Sequence, residues 1–203
     1  MEIKKLLLIL LLIMFVILLN FRLNVFNLKL YDKEFSKLEI YNNIPKEIAF
    51  ENTKTLINYF NKDDKLEVGF FNEKEILHLK DVKNLINKSI ILFYLILILL
   101  IIFITINKDF SKVFFYSGIL LVLIPLILLF FDFNSVFIKF HEIFFNNNLW
   151  LLNPETDNLI KLFPEQFFID FVKKIFINSA IIGLLLFASS FSLKKILKKK
   201  ISN

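Results

Sequence analysis

Ile90-Ile91-Leu92-Phe93-Tyr94-Leu95-Ile96-Leu97-Ile98-Leu99-Leu100-Ile101-Ile102-Phe103-Ile104-Thr105-Ile106 is an apolar run of seventeen residues in which Thr105 is the one polar interruption. A helix needs about 20 predominantly apolar residues to cross some 30 Å of hydrocarbon, so this run reads as a membrane span. Two more runs have the same character. Val113 to Phe131 is nineteen residues interrupted by Ser117, Gly118 and Pro125, and Ile175 to Leu193 is nineteen carrying Asn178 and several serines. Leu6 to Leu19 is fourteen. It is short, but it continues through Asn20 and Phe21, and Lys4, Lys5 and Arg22 can snorkel. It has the charged start and apolar middle of a signal peptide. The residues after it, Asn20 to Asn27, offer no small Ala-x-Ala site for cleavage, so we read an uncleaved anchor.

The expected fold is therefore mainly α: one polytopic membrane domain over 1–203, with spans at about 4–22, 89–107, 113–132 and 175–193. Composition agrees. Of 203 residues 57% are hydrophobic, with 27 Phe, 3 Gly, 4 Pro and no Cys. Disorder and repetitive linkers are excluded, as are a disulfide framework and thiol chemistry.

Basic residues near span ends set orientation. The first residues, the loop after the second span and the C-terminal tail hold nine Lys against Glu2 and Asp109. Residues 21–87 hold eleven basic and eleven acidic side chains, and 134–174 hold four and five. Both termini are expected in the cytoplasm, with 21–87 and 134–174 as outward segments. The Lys-rich tail follows a span directly and reads as a topology signal, not as a nucleic-acid site.

In the first outward segment Ala49, Thr53, Leu56, Ile57 and Phe60 predict an amphipathic helix after Pro45. Leu66 to Phe71 alternates weakly, as a short strand would. Leu28 to Ile40 fits strand or helix. Asn72-Glu73-Lys74-Glu75 predicts a helix start with a capping box. In the second segment Phe133, Phe137, Phe140 and Phe144 form a helical stripe too short to span, which suits an interfacial helix. Asn146-Asn147-Asn148 ends it, Trp150 occupies an interfacial aromatic position, and Pro164-Glu165 begins the last helix.

The chain has two histidines, His78 and His141, one in each outward segment. Each alone is an ordinary structural residue, whereas two on the same side of a membrane suggest acid–base work. A metal centre would need ligands such as Asp81, Glu142 or Glu75, and no tight metal-ligand spacing is present. Neither Gly-x-Ser-x-Gly nor a charge in mid-span occurs, which disfavours serine hydrolysis and ion-coupled transport. Asn178 and Ser179-x-x-x-Gly183 read as helix packing.

The stretch Phe70-Phe71-Asn72-Glu73-Lys74-Glu75-Ile76-Leu77-His78-Leu79-Lys80-Asp81-Val82-Lys83 resembles one signature of a bacterial four-span family that includes the lipoprotein intramolecular transacylases (Lit). A second signature is matched by Phe140-His141-Glu142-Ile143-Phe144-Phe145, Trp150-Leu151-Leu152, Pro154-x-Thr156-Asp157-x-Leu159-Ile160 and Phe163-Pro164-Glu165-x-Phe167-Phe168. Asn153 and Gln166 depart from the expected Asp and Gly. The resemblance covers most of the chain outside 21–65.

It implies an acyltransferase of the bacterial cell membrane. Such an enzyme moves an acyl chain from the glyceryl group of a diacylglyceryl-modified lipoprotein to the α-amino group of its N-terminal Cys. The family's two essential histidines fall on His78 and His141. From the residues themselves, Asp81 or Glu142 could orient an imidazole, Asn146 or backbone amides could donate to an oxyanion, and Trp150 is a further supporting candidate. Ester-to-amine transfer needs a base, oxyanion donors and a proton for the leaving oxygen. It calls for no cofactor, metal or nucleotide, and its partners would be the lipoprotein and membrane lipid. His78 precedes Ile90 by twelve residues, about 18 Å of straight helix. A bend at Asn87-Lys88-Ser89 or a strong tilt is therefore expected. The alternative function is a non-enzymatic scaffold, for which neither histidine would matter; a small channel fits worst, since the spans lack polar faces.

Overall fold

The structure, a computed structural model, describes residues 3–62, 66, 69–106, 110–128 and 130–202, with side chains as far as Lys195. Among the described residues every regular element is helical: α1 (Ile3–Val25), α2 (Leu28–Lys37), α3 (Lys46–Asn61), α4 (Glu73–Ile106), α5 (Ser111–Leu128), α6 (Phe133–Phe144), α7 (Asn158–Leu162) and α8 (Glu165–Ser202), with a 3-10 turn at Ile40–Asn42. The expected strand is absent at Leu66 and Gly69–Phe71, while Glu67 and Val68 lie outside the described residues. α1, α4, α5 and α8 are each long and apolar enough to cross a membrane, which makes this a multi-pass membrane protein of four spans.

The chain divides into two compact units. The first holds Met1–Phe21, Ile90–Phe131 and Lys174–Asn203. Its core is built from Leu8, Ile9, Leu11, Ile13 and Val16 of α1, Ile96 and Leu100 of α4, and Val113 and Leu121 of α5, with Ile182 and Leu186 of α8 packed against them. Ile91, Leu95, Ile98 and Ile102 face outward, at 60, 54, 55 and 48% exposure. Those side chains need a lipid environment. Lipid tails are as apolar as leucine, so helices inside a bilayer associate through close packing and polar contacts, not through hydrophobic burial.

Two small residues provide that approach. A Cβ on Gly118 would lie 2.6 Å from the Gly183 carbonyl oxygen and 2.8 Å from Phe187 N; one on Gly183 would lie 2.8 Å from Leu121 Cβ. Asn20 Nδ2 donates to Val16 O at 3.0 Å and to Ser179 Oγ at 3.2 Å, joining α1 to α8. Ser179 and Gly183 of the fourth span thus serve packing, as the sequence suggests. Gly118→Leu should force α5 from α8 and lower stability by about 1–3 kcal/mol or more, read as a drop in the thermal transition of the purified protein; an unchanged transition would show that the contact is dispensable.

The second unit holds Arg22–Ser89 and Asp132–Lys173. The ambiguous Leu28 region is helix α2. Its Tyr31 and Phe35 pack with Phe163 and Phe167: Phe35 and Phe163 have centroids 5.5 Å apart, and Tyr31 stacks on Phe167 at 5.4 Å. In α3 the expected face is realised by Ala49, Thr53, Leu56 and Phe60, with Tyr59 buried where Ile57 was expected. Lys83 Nζ lies 4.3 Å from the Tyr59 ring centre and donates to Lys62 O at 2.9 Å, fixing the end of α3 to α4. α8 begins at Glu165, as Pro164 predicts. Helix α4 passes through Asn87-Lys88-Ser89 without a break, so the expected bend does not take the form of an interruption.

Candidate functional site

The capping box predicted at Asn72 forms in full. Asn72 Oδ1 accepts from Glu75 N at 3.0 Å and Glu75 Oε2 accepts from Asn72 N at 2.6 Å. Two N–H groups that the first helical turn would leave unpaired are satisfied. The start of α4, and with it the phase of His78 one turn later, is thereby defined. In the second chain segment of the unit, Asp132 caps α6 by accepting from Ser135 N at 2.9 Å. Its helical period then sets Phe137, Phe140, His141 and Phe144 in phase.

These two helices bring the chain's two histidines together. The ring centroids of His78 and His141 are 6.2 Å apart, with an interplanar angle of 31°, and both rings are buried, at 6 and 7% exposure. Among the described residues no hydrogen bond joins the two rings. His141 is boxed by aromatics: Phe137 at 4.2 Å, Trp150 at 4.8 Å, Phe140 and Phe145 each at 5.5 Å. Phe145 also meets His78 edge-on at 5.2 Å.

His141 Nδ1 lies 2.7 Å from Phe137 O. A carbonyl oxygen can only accept, so Nδ1 must carry the hydrogen. Nε2 then holds the lone pair and is the basic atom. His78 Nδ1 is buried without a hydrogen-bond partner.

Electrostatics keep the pair neutral at ordinary pH. Burial pushes the His78 imidazole down to about 4; His141 and Lys74 push the same way and Asp81 opposes them. Burial also holds His141 below its ordinary value, against the pull of the Phe137 carbonyl. A neutral imidazole offers both a lone pair and an N–H, which is what proton traffic in a closed site requires.

The supporting candidates divide. Trp150 is in the site, its ring tilted by 31° against that of His141. Asp81 acts on His78 through space, yet its Oδ2 accepts from Asn147 Nδ2 at 2.8 Å, so its hydrogen bond holds the loop after α6 and not an imidazole. Glu142 is exposed and pairs with Lys139 at 2.6 Å; the orienting role weighed for it is filled by the Phe137 carbonyl. Asn146 is exposed. Phe137, Phe145 and Asn147 are not among the site residues read from sequence, where Phe137 belongs to the helical stripe, Phe145 to the second signature and Asn147 to the turn that ends the helix; the spacing of Phe137 four residues before His141 is the signal that points to its role. Among the described residues no group of three or more His, Asp or Glu is placed to hold a metal ion.

A family model described as lipoprotein intramolecular transacylase Lit matches residues 6–168. The chain belongs to that family. An uncharacterized protein of Aquifex aeolicus (strain VF5) is 30% identical over 133 residues, 64% of this chain and 61% of that protein. The alignment thus spans less than two thirds of that relative. The in meso structure of the membrane integral lipoprotein intramolecular transacylase Lit from Bacillus cereus is similar with a TM-score of 0.83 at 23% identity, covering 98% of this chain and 96% of that one. A form of the Bacillus cereus protein with one histidine changed to arginine is similar with a TM-score of 0.77 at 25% identity, over 98% and 95% of the two chains. These likenesses show that the family's fold is kept over nearly the whole length.

Proposed function

We propose that this chain carries out its family's reaction at the His78–His141 pair: transfer of an acyl chain from the glyceryl group of a diacylglyceryl-modified lipoprotein to the α-amino group of the same molecule's N-terminal Cys. The observation that carries this reading is the convergence of the two histidines, from separate segments of sequence, to 6.2 Å.

The reaction forms one bond and breaks one. The amine nitrogen attacks the ester carbonyl carbon, the C–N bond forms, and the bond from carbon to the glyceryl oxygen breaks. One proton leaves nitrogen and one reaches oxygen, so the histidine pair ends as neutral as it began. His141 Nε2, left basic by the Nδ1–H bond to Phe137, takes the proton from nitrogen and returns it to the departing oxygen. His78, kept neutral by its surroundings, donates an N–H to the oxygen on which charge develops, as a neutral imidazole can. The aromatic wall of Phe137, Phe145 and Trp150 excludes water, which would otherwise hydrolyse the ester. Donor and acceptor lie in one molecule, so the amine meets the ester at high effective concentration. No external acyl donor, metal or nucleotide takes part, and no nucleic acid is a partner.

An internal migration conserves atoms. Tandem mass spectrometry of a lipoprotein's N-terminal peptide, with and without the protein, should show unchanged mass with an acyl group moved onto nitrogen. A gain of one acyl chain would mean transfer from a phospholipid, and a loss would mean hydrolysis; either removes the intramolecular reaction.

The reaction places the site on the outer side of the bacterial cytoplasmic membrane, with both termini cytoplasmic and the outward segments facing lipid headgroups. The Lys distribution supports this orientation, and α6, whose Ile143, Phe144 and Phe140 remain 71, 51 and 41% exposed, suits contact with the membrane interface. Reporter enzymes fused after Asn61 should be active only where export is needed for activity. A cytoplasm-restricted reporter active there would invert the topology.

A further inference from the structure

Glu75 lies one helical turn before His78 on α4 and is 0% exposed, yet the reaction above gives it no part. Both of its oxygens accept hydrogen bonds from backbone: Oε2 from Asn72 N at 2.6 Å, and Oε1 from Leu159 N in α7. Asn72 Nδ2 donates in turn to Asp157 Oδ1 at 3.0 Å, and Asp157 Oδ2 accepts from Asn153 N at 2.8 Å. The neighbouring Lys74 donates to Leu151 O. The segment held in this way adjoins Trp150, whose ring lies 4.8 Å from His141. One turn after His78, Asp81 takes a second hold on the same stretch through Asn147. His78 is thus bracketed by two acidic side chains, both hydrogen-bonded to the 147–159 segment.

A cap serves its helix equally well at the surface. A fully buried carboxyl is costly unless its oxygens are satisfied, and here satisfaction requires both Asn72 and Leu159 in place, which fixes helix against loop. We propose that Glu75 is a positioning residue: by binding the N–H groups of Asn72 and Leu159 it sets the register of the His78 helix against the segment that carries Trp150, and so the spacing of the two imidazoles. The proposal rests on the reading of His78 and His141 as the reacting pair.

The test uses the full-length protein in lipid vesicles with a diacylglyceryl lipopeptide. Glu75→Gln turns one acceptor into an NH2 group facing an N–H. With rates normalised to folded protein, kcat should fall about tenfold to a hundredfold with KM held within about twofold, because a misplacement of order 1 Å costs that much in rate and not in binding. The low-pH break assigned to His78 should also move up toward its ordinary 6.5, as the ring gains water. The charged or titratable groups acting on that ring, His141 from α6 and Asp81 and Lys74 from its own helix, are unchanged in the variant. Asn72→Ala, at an exposed position, keeps the N–H that Glu75 binds but removes the side-chain bonds to Glu75 N and Asp157 that hold the same helix start to the loop; it should give the same pattern at smaller size, and Glu75→Asp, one methylene too short to reach both N–H groups, decides the matter if Glu75→Gln fails to insert. Wild-type kcat and pH profile in these variants, alongside an inactive His78→Ala, would reduce Glu75 to a helix cap and overturn the proposal. An active His78→Ala would instead remove the reading of the histidines themselves, and the positioning role with it.

Discussion

His141→Ala and His78→Ala should each lower the rate of acyl migration by about 10²–10⁴, the range a positioned acid–base group contributes, while the protein still inserts and purifies as the wild type does. Neither ring is a fold-bearing charge, since both are held neutral by burial. Their neighbours are chiefly aromatic, so losing an imidazole leaves an apolar gap without an unpaired ion. The two variants should differ in one respect. His141→Ala also strips the Phe137 carbonyl of its donor, whereas His78 Nδ1 has no partner to lose. Moderate extra destabilisation is therefore expected only in the first. Turnover of a diacylglyceryl lipopeptide, measured per mole of correctly inserted protein, checks both. Near-wild-type turnover in either variant makes that histidine structural.

The pH dependence should be as distinctive. The substrate's α-amine has an ordinary pKa near 8 and must be unprotonated to attack. Below about pH 8 the logarithm of the rate should accordingly fall with slope one. An ordinary imidazole base would add a second break near 6.5. Here burial holds both rings below that value, His78 at about 4, so the slope should remain one through pH 6.5 and steepen only at lower pH. The sign for stability is the same. A depressed folded-state pKa means that the unfolded chain binds protons first as pH falls. The histidine contribution to stability is complete above about 6.5 and is lost progressively as pH drops toward 4. Rate profiles in lipid vesicles between pH 4.5 and 9 decide the point, and a clear break at 6.5 would show that the site is open to water in the working enzyme.

The spans were legible in sequence because crossing a bilayer is a requirement on length and polarity, both properties of a contiguous run. The four apolar stretches reappear as α1, α4, α5 and α8. The capping box at Asn72 was equally legible, because its two hydrogen bonds reach only three residues along the chain. Helix α2 was not. Ten residues containing Leu30, Tyr31 and Phe35 satisfy either period, and their burial against Phe163 and Phe167 accompanies the helix that forms. The roles of the two acidic groups beside the site were hidden for a related reason. From sequence, Asp81 and Glu142 looked like partners for an imidazole, because each lies close to a histidine along its helix. Proximity on a helix does not say which neighbour a carboxylate prefers, and Asp81 turns to Asn147 while Glu142 turns to Lys139.

By itself the sequence determined the membrane class, the four spans, the segments between them and the pair of histidines to watch, since each depends on residue type and local spacing. Only the tertiary structure decided that His78 and His141 meet, that the Phe137 carbonyl selects the basic nitrogen of His141, and that Glu75 reaches Leu159, 84 residues away. Those contacts depend on how helices pack once the chain has folded back on itself. A side chain's partner across such a distance is chosen by geometry and burial, for which a linear pattern carries no periodic signal.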